Sequence, residues 1–359
     1  MDEDNRGEVD LKATYLTTLA QCAPEALVRA HVTPDMPRNV VAIGKCAGAL
    51  FDGVAGVHDV ESAFVVVPEG YPNVGRASAR PGRAEARPAF STFFGGHPHY
   101  TRESFIAGRA LLDYVEAHED ILFLVSGGGS ACVEVPLVSE DEAVRINAEL
   151  IASGRTIAEI NEVRRSISAI KGGKLAARVR GRAVTLVYSD VSTGALHDVA
   201  SGPTIPGSEA VLVADNSTLV RAAAQIIGDN AVVLEEQIEC DVLDAAAMLA
   251  ARARELRKGE VLVAGGEPTV IVRGKGRGGR CSELAVRFAG LCGYEALFAS
   301  SDGVDGNSGA AGIHLRGGLK PALRWAPSDS FAVAAQIGEP IMIAPTGNNL
   351  RDLFFVACV

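Results

Sequence analysis

Several short stretches of this chain put small, flexible backbone or a lone charge directly after an apolar run. In "FLVSGGGSACVEVP" (123–136), Ser126 closes a strand-like run, Gly127, Gly128 and Gly129 turn the chain, and Ser130 opens a short helical pattern. Consecutive glycines let backbone N–H groups converge, and a helix start adds partial positive charge, so the pattern suits a phosphate. Read alone, it is equally a Gly-rich strand-to-helix turn. Lys45 in "VVAIGKCAG" has the same placement, after Gly44. A cation there opposes the helix dipole, whereas a mobile ammonium serves a phosphate. No GxxxxGK[ST] occurs, so the site is not a P-loop.

Other charges gather in the same manner. "INEVRRSISAIKGGKLA" (160–176) reads as a helix carrying Arg164, Arg165, Lys171 and Lys174, with a solvated basic face as its plainest explanation. Asp190 ends a strand in "LVYSDV", where α/β sheets present ligand-binding carboxylates; holding Mg²⁺, acting as a base and capping a helix are all open to it. "RGKGRGGRCSE" packs Arg273, Lys275, Arg277 and Arg280 among glycines that include Gly278 and Gly279, and "SSDGVDGNSGAAG" offers Asp302 and Asp305. The run Gly274-x-Gly276-x-x-Gly279 formally satisfies GxGxxG, but the loop is strongly basic and no acidic strand end follows about 20 residues on, which argues against a dinucleotide. His97 in "GGHPHY" reads as part of a structural His-Pro turn, and no Ser/His/Asp order or HExxH pattern supports hydrolysis or zinc chemistry.

These residues need a frame. Strand patterns fall at 39–44, 62–67, 121–126, 183–189, 260–266, 269–273 and 295–301, with a last one in "FFVACV". Helical patterns cover 8–31, 46–55, 101–118, 140–153, 155–179, 216–228, 241–258 and 281–292. Strands separated by helices imply βαβ units, an α/β class and mostly parallel sheets. "TVIVR" followed by the basic loop suggests an antiparallel addition. The Arg- and Pro-rich segment 73–91 lacks periodicity and reads as a surface loop. "SGPTIPGSEA" (201–210) concentrates Gly, Pro and Ser and marks a boundary between domains at 1–208 and 209–359.

Composition excludes several classes. A net charge of −10 argues against nonspecific nucleic-acid or anionic-membrane binding. Seven cysteines without a CxxC pair fit reduced thiols in a cytoplasmic protein. The start "MDEDNRGEVD" lacks the apolar core of a signal peptide, and no apolar run reaches the roughly 18 residues of a membrane span. Neither nucleic acid nor membrane is therefore expected as a partner. The oligomeric state is left open, a homodimer being one arrangement.

Taken in order, "GKCAGAL", "GGHP", "SGGGSA", "INEVRRSISAIKGGKLA", "SDV…ASGPT", "GGEPTV…GRGGR" and "SDGVDG…AAG" resemble the glycerate 2-kinase family from about residue 39 onward. The resemblance implies two α/β domains facing an active-site cleft, the first Rossmann-like and the second carrying the GRGGR motif. It implies a small-molecule substrate and phosphorylation of the 2-hydroxyl of D-glycerate with ATP and Mg²⁺. On this basis Lys45, Arg280, Asp190 and Asp302 are expected to be catalytic, and Asp190 and Asp302 to hold the metal. Ser126, Gly127, Gly128, Gly129, Ser130, Lys171, Gly278 and Gly279 are expected at the nucleotide phosphates, and Arg164 and Asp305 at the substrate. Phosphoryl transfer mainly needs charge neutralisation and positioning, which these residue types supply.

Three departures touch the expected cleft loops. Cys281 and Ser282 stand where the family reads Asn-Gln after GRGGR, Gly309 replaces a carboxylate, and His99-Tyr100-Thr101 follow the GHP motif. They bear on the acceptor, for which another small hydroxy acid or hydroxylated metabolite is the close variant. Two rival classes are an NAD(P)-dependent hydroxypyruvate reductase and a nucleotide-binding protein without catalysis.

Overall fold

The computed structural model describes residues 9–71, 89–191, 195–320, 323–326 and 328–358. The chain divides into two compact units, Ala23–Asp215 and a second that joins the amino-terminal residues through Cys22 to those from Asn216 onward. Among the described residues no helix is long and apolar enough to cross a membrane.

The chain opens with α1 (Leu11–Gln21), capped by the Asp10 side chain. It packs in the second unit, where Tyr15 Oη donates to the Ser300 carbonyl at 2.7 Å. The first unit then runs α2 (Pro24–Arg29), β1 (Asn39–Ile43), α3 (Ala47–Val57), β2 (Ser62–Pro68), β3 (Ala89–Gly95), α4 (Arg102–Ala117), β4 (Ile121–Ser126), α5 (Gly129–Cys132), α6 (Glu140–Ala152), α7 (Ile157–Ser166), β5 (Ala183–Tyr188) and β6 (Glu209–Ala214). Its six strands lie in the order β3-β2-β1-β4-β5-β6, and every pairing is parallel. That order is the doubly wound, Rossmann-type one, whose ligand crevice lies at the carboxyl ends of the strands flanking the switch point. Here the switch falls between β1 and β4. The inner strands read as continuous apolar runs, "VVAI" and "ILFLV", because both faces are covered, as a wholly parallel sheet requires.

The second unit adds α8 (Asn216–Ile227), β7 (Ala231–Val233), α9 (Val242–Ala253), β8 (Val261–Gly266), α10 (Arg280–Ala289), β9 (Glu295–Ser300), β10 (Gly312–Leu315), α11 (Ser330–Ile337), β11 (Glu339–Pro340) and β12 (Asp352–Ala357). Its sheet order is β11-β10-β9-β12-β8-β7. Four of the six strands share one direction; β10 and β12 run against them, so only β7 and β8 pair in parallel. The mostly parallel arrangement expected from the alternating pattern is complete in the first unit. In the second it is interrupted, because β12 enters between β8 and β9, and β10 between β9 and β11, with reversed direction.

Four local expectations change. The single helix over 8–31 is two, since Pro24 starts a new helix at its first position. The helix over 155–179 stops at Ser166: Gly172 and Gly173 take φ of +66° and +82°, which a helix cannot hold. "TVIVR" is not a strand; Ile271 and Val272 are 65% and 77% exposed, and only Thr269 bridges, to Asp241. The boundary expected at 208/209 precedes β6, which pairs with β5 and carries the first unit to Asp215. Of the segment 73–91, residues 73–88 lie outside the described residues, and the rest starts β3.

Candidate active site

At the switch point, β1 and β4 deliver their C-terminal loops side by side. Gly44 turns with φ of +114°, and a Cβ on it would lie 2.4 Å from the Ser126 carbonyl, so only glycine fits there. Lys45 N–H donates to the Gly127 carbonyl at 2.8 Å. Ser126 is buried; its Oγ accepts from Cys46 N–H at 3.0 Å, which makes it the clamp between the loops and leaves it no surface for a ligand. Gly128 has φ of +81°, and a Cβ there would meet the Lys45 stem at 2.8 Å. Among the described residues, the N–H groups of Gly127, Gly128, Gly129 and Ser130 find no hydrogen-bond acceptor. Ser130 Oγ pairs with Ser201 Oγ at 2.7 Å. Unpaired donors beside a lysine are what an anion site requires.

Lys45 Nζ lies 5.3 Å from the centre of the Tyr71 ring, and the His97 ring packs edge-on against the same tyrosine at 6.3 Å. Arg164, on α7, is 8% exposed and donates through Nε and Nη2 to Asn147 Oδ1 at 3.2 and 2.9 Å. Among the described residues it has no carboxylate partner. Burial lowers its pKa, against the pull of Tyr100 and Glu134. Partial burial, then the charges of Lys45, Arg164 and His99, push the His97 imidazole down to about 4. The His97 side chain is exposed to solvent, and screening tempers that shift.

Lys171 sits elsewhere. It is fully buried and paired with Glu134, which also accepts from Tyr100 Oη at 2.9 Å, Ser168 Oγ at 2.6 Å and Val135 N–H at 2.8 Å. Burial lowers the lysine pKa while Glu134 raises it. Its ammonium thus faces a carboxylate inside the fold and is not presented to a nucleotide phosphate, a correction to the sequence reading. Asp190 follows β5, half-buried, two residues beyond Tyr188.

In the second unit, Arg280 opens α10. Its Nε and Nη2 bind Asp352 at 2.5 and 3.0 Å, and Nη1 lies 2.9 Å from Glu267. Burial would lower its pKa, but the Asp352 and Glu267 charges outweigh that and raise it. Asp352 is itself fully buried, which pushes its carboxyl up to about 6. Asp305 accepts from the backbone N–H groups of Cys281 and Ser282, both at 2.9 Å. Gly279 N–H binds Ser282 Oγ at 2.9 Å, and Gly278 N–H binds Asn307 Oδ1 at 2.8 Å. The helix start expected to hold a phosphate is therefore already capped from within. Asp305, buried beneath Gly279, is that cap and not a substrate ligand. Asp302 accepts from Ser300 Oγ at 2.8 Å and Val304 N–H at 2.9 Å through Oδ1, leaving Oδ2 without a described partner. Among the described residues no three His, Cys, Asp or Glu side chains gather as a metal site.

The structure thus keeps Lys45, the glycine loop and Arg164 in one unit, and Arg280, Asp302 and Asp305 in the other. It adds His97, Tyr71, Asn147 and Asp352. Asp352 carried a readable signal, an acid opening the apolar run "LFFVA"; Tyr71 and Asn147 carried none.

The chain matches the model of the domain of unknown function DUF4147 over residues 10–227 and that of the MOFRL family over 260–352. It is 30% identical over 329 residues to a D-glycerate 2-kinase of Thermotoga maritima, covering 74% of this chain and 79% of the relative. A protein of Agrobacterium vitis that bears a hydroxypyruvate reductase name is 29% identical, over 96% of this chain and 92% of its own. A crystal structure of glycerate kinase from Thermotoga maritima superimposes with a TM-score of 0.82 at 27% identity, over 97% of this chain and 98% of that one. Matches that span both units, agreeing with the fold throughout, establish that the chain belongs to the two-domain glycerate kinase family and is a phosphotransferase with an alcohol acceptor.

Proposed function

We propose that the protein transfers the terminal phosphoryl group of ATP to the 2-hydroxyl of D-glycerate, giving 2-phosphoglycerate, with Mg²⁺ as the metal. The observation that carries this reading is the set of N–H donors at Gly127–Ser130, without partners among the described residues, beside Lys45 at the carboxyl edge of a Rossmann-order sheet. In it, those donors hold nucleotide phosphate and Lys45 neutralises charge developing on the transferred group. Arg164, a nearly buried guanidinium without a described carboxylate, binds the carboxylate of the acid. The second unit supplies Arg280, kept oriented by Asp352, and Asp302, whose Oδ2 suits a hard cation. Mg²⁺ neutralises phosphate charge when bound and needs only one or two protein carboxylates, for which Asp302 and Asp190 are assigned. A cytoplasmic setting belongs to the same reading; among the described residues no cysteine forms a disulfide.

The name carried by the Agrobacterium relative makes hydroxypyruvate reduction the second reading. Against it, the GxGxxG run enters α10 from an irregular loop, and the N–H groups it offers are taken by Asp305 and Ser282. The deciding experiment incubates the protein with ATP, Mg²⁺ and D-glycerate and follows ADP and the phosphorylated acid by mass. A 2-phosphorylated product is expected; NADH oxidation with hydroxypyruvate and no ADP would replace this reading with the second.

A further inference from the structure

We propose that His97 accepts the proton of the attacking hydroxyl during phosphoryl transfer, and that Asn147 ties it to the carboxylate-binding Arg164. This rests on the kinase reading above and names a residue that the sequence had assigned to a structural turn.

The geometry begins with the loop between β3 and α4. Its Pro98 carbonyl accepts from Asn147 Nδ2 at 3.1 Å, while Asn147 Oδ1 takes two donors from Arg164. One side-chain amide on α6 therefore joins the guanidinium of α7 to the residue next to His97. On the other side, the Tyr71 ring contacts both the imidazole and the Lys45 ammonium. His97 is thus held within one group of residues with a cation suited to phosphoryl oxygen and a cation suited to carboxylate. The His97 side chain is exposed to solvent, so a ring nitrogen is accessible to a donor from outside the fold.

The groups facing His97 are Lys45 from the β1–α3 loop, Arg164 from α7, His99 from its own loop, and Tyr71. Partial burial first, and then the cations among them, lower the imidazole pKa, so the ring is neutral at neutral pH and can accept a proton. In the step, the O–H proton of the acid passes to an imidazole nitrogen. The hydroxyl oxygen bonds to the terminal phosphorus of a nucleoside triphosphate, and the bond from that phosphorus to the bridging oxygen breaks, releasing the diphosphate. The imidazolium then returns its proton to solvent.

The test compares wild type with His97→Ala and His97→Asn, using ATP, Mg²⁺ and a panel of small 2-hydroxy acids that includes D-glycerate. Removing a general base lowers kcat by about 10²–10⁴-fold. That loss is expected in both variants, with KM for the acid within about threefold of wild type and the denaturation midpoint unchanged. Added imidazole should restore at least about tenfold of the lost rate to His97→Ala, the signature of a missing proton acceptor. A kcat within tenfold of wild type, an effect confined to KM, or no rescue overturns the assignment. If wild type phosphorylates no acid in the panel, the kinase reading itself falls; if it does and the variants keep pace, only the role of His97 falls.

Discussion

The two glycine-rich loops of this protein look alike in sequence and differ in what their backbone is doing. "SGGGSA" in the first unit leaves the N–H groups of Gly127–Ser130 without described partners, next to Lys45. "GRGGRCSE" in the second ends at a helix whose first N–H groups are taken by Asp305 and whose glycines are held by Ser282 and Asn307. Glycine and a helix start make an anion site only where no side chain of the same chain has already filled it. The first loop offers its backbone; the second is a structural joint, in which Arg280 is held by Asp352 and Glu267 while Arg273, Lys275 and Arg277 are exposed.

This contrast can be broken most directly at the cations. Lys45→Ala is expected to lower kcat by about 10²–10³-fold, the usual loss when an electrostatic stabiliser of a transition state is removed. Arg280→Ala should do the same, and circular dichroism should find both variants folded. Near-normal turnover in either variant refutes that residue's role. The next test is on the capped loop. Asp305→Ala strands two backbone donors inside α10, and leaving such groups unpaired costs about 1–3 kcal/mol. The expected result is a lower denaturation midpoint with an unchanged KM for ATP; a raised KM with unchanged stability would make the second loop the phosphate site after all.

The smallest effect sharpens the second unit. Burial, ahead of the opposing pull of Arg280, raises the Asp352 pKa from 3.8 to about 6 in the folded protein. A carboxyl raised in this way contributes stability that is fully present below about pH 3.8 and lost as pH climbs to about 6. Asp352→Asn should therefore abolish that slope. Measured by urea unfolding, the stability of wild type relative to the variant should fall between pH 4 and 6 and level off above. A rise over the same interval would mean that the Arg280 charge dominates.

Much of the frame was legible from residue patterns. The inner parallel strands announce themselves as unbroken apolar runs, and Lys45 and the triple glycine stand at strand ends, where an α/β sheet places its ligands. Burial was not legible. Lys171 looked like one more cation on a basic helix, because its partner Glu134 lies 37 residues earlier in the chain. Asp305 looked like a ligand because the helix it caps begins more than 20 residues before it. "TVIVR" has every mark of a strand except a neighbour to pair with, and pairing is a tertiary property. His97 was passed over since a His-Pro turn is usually structural, and the Asn147 bridge that gives it context joins segments 49 residues apart.

The placement of α1 carries a consequence for synthesis. The first unit is an insertion: the chain begins in one unit, leaves it at Cys22, and returns at Asn216. A ribosome therefore emits α1 before any of its docking partners is made. The Ser300 carbonyl that receives Tyr15, and the Glu339 carboxylate that pairs with Lys12, emerge only after the whole inserted unit. The inserted unit has its complete sheet as soon as β6 is out, since domains generally fold as units during synthesis. The other must wait until β12 is out and then recapture a helix made before the inserted unit. A nascent chain arrested after Asp215 would hold a finished inner unit with α1 still awaiting its place.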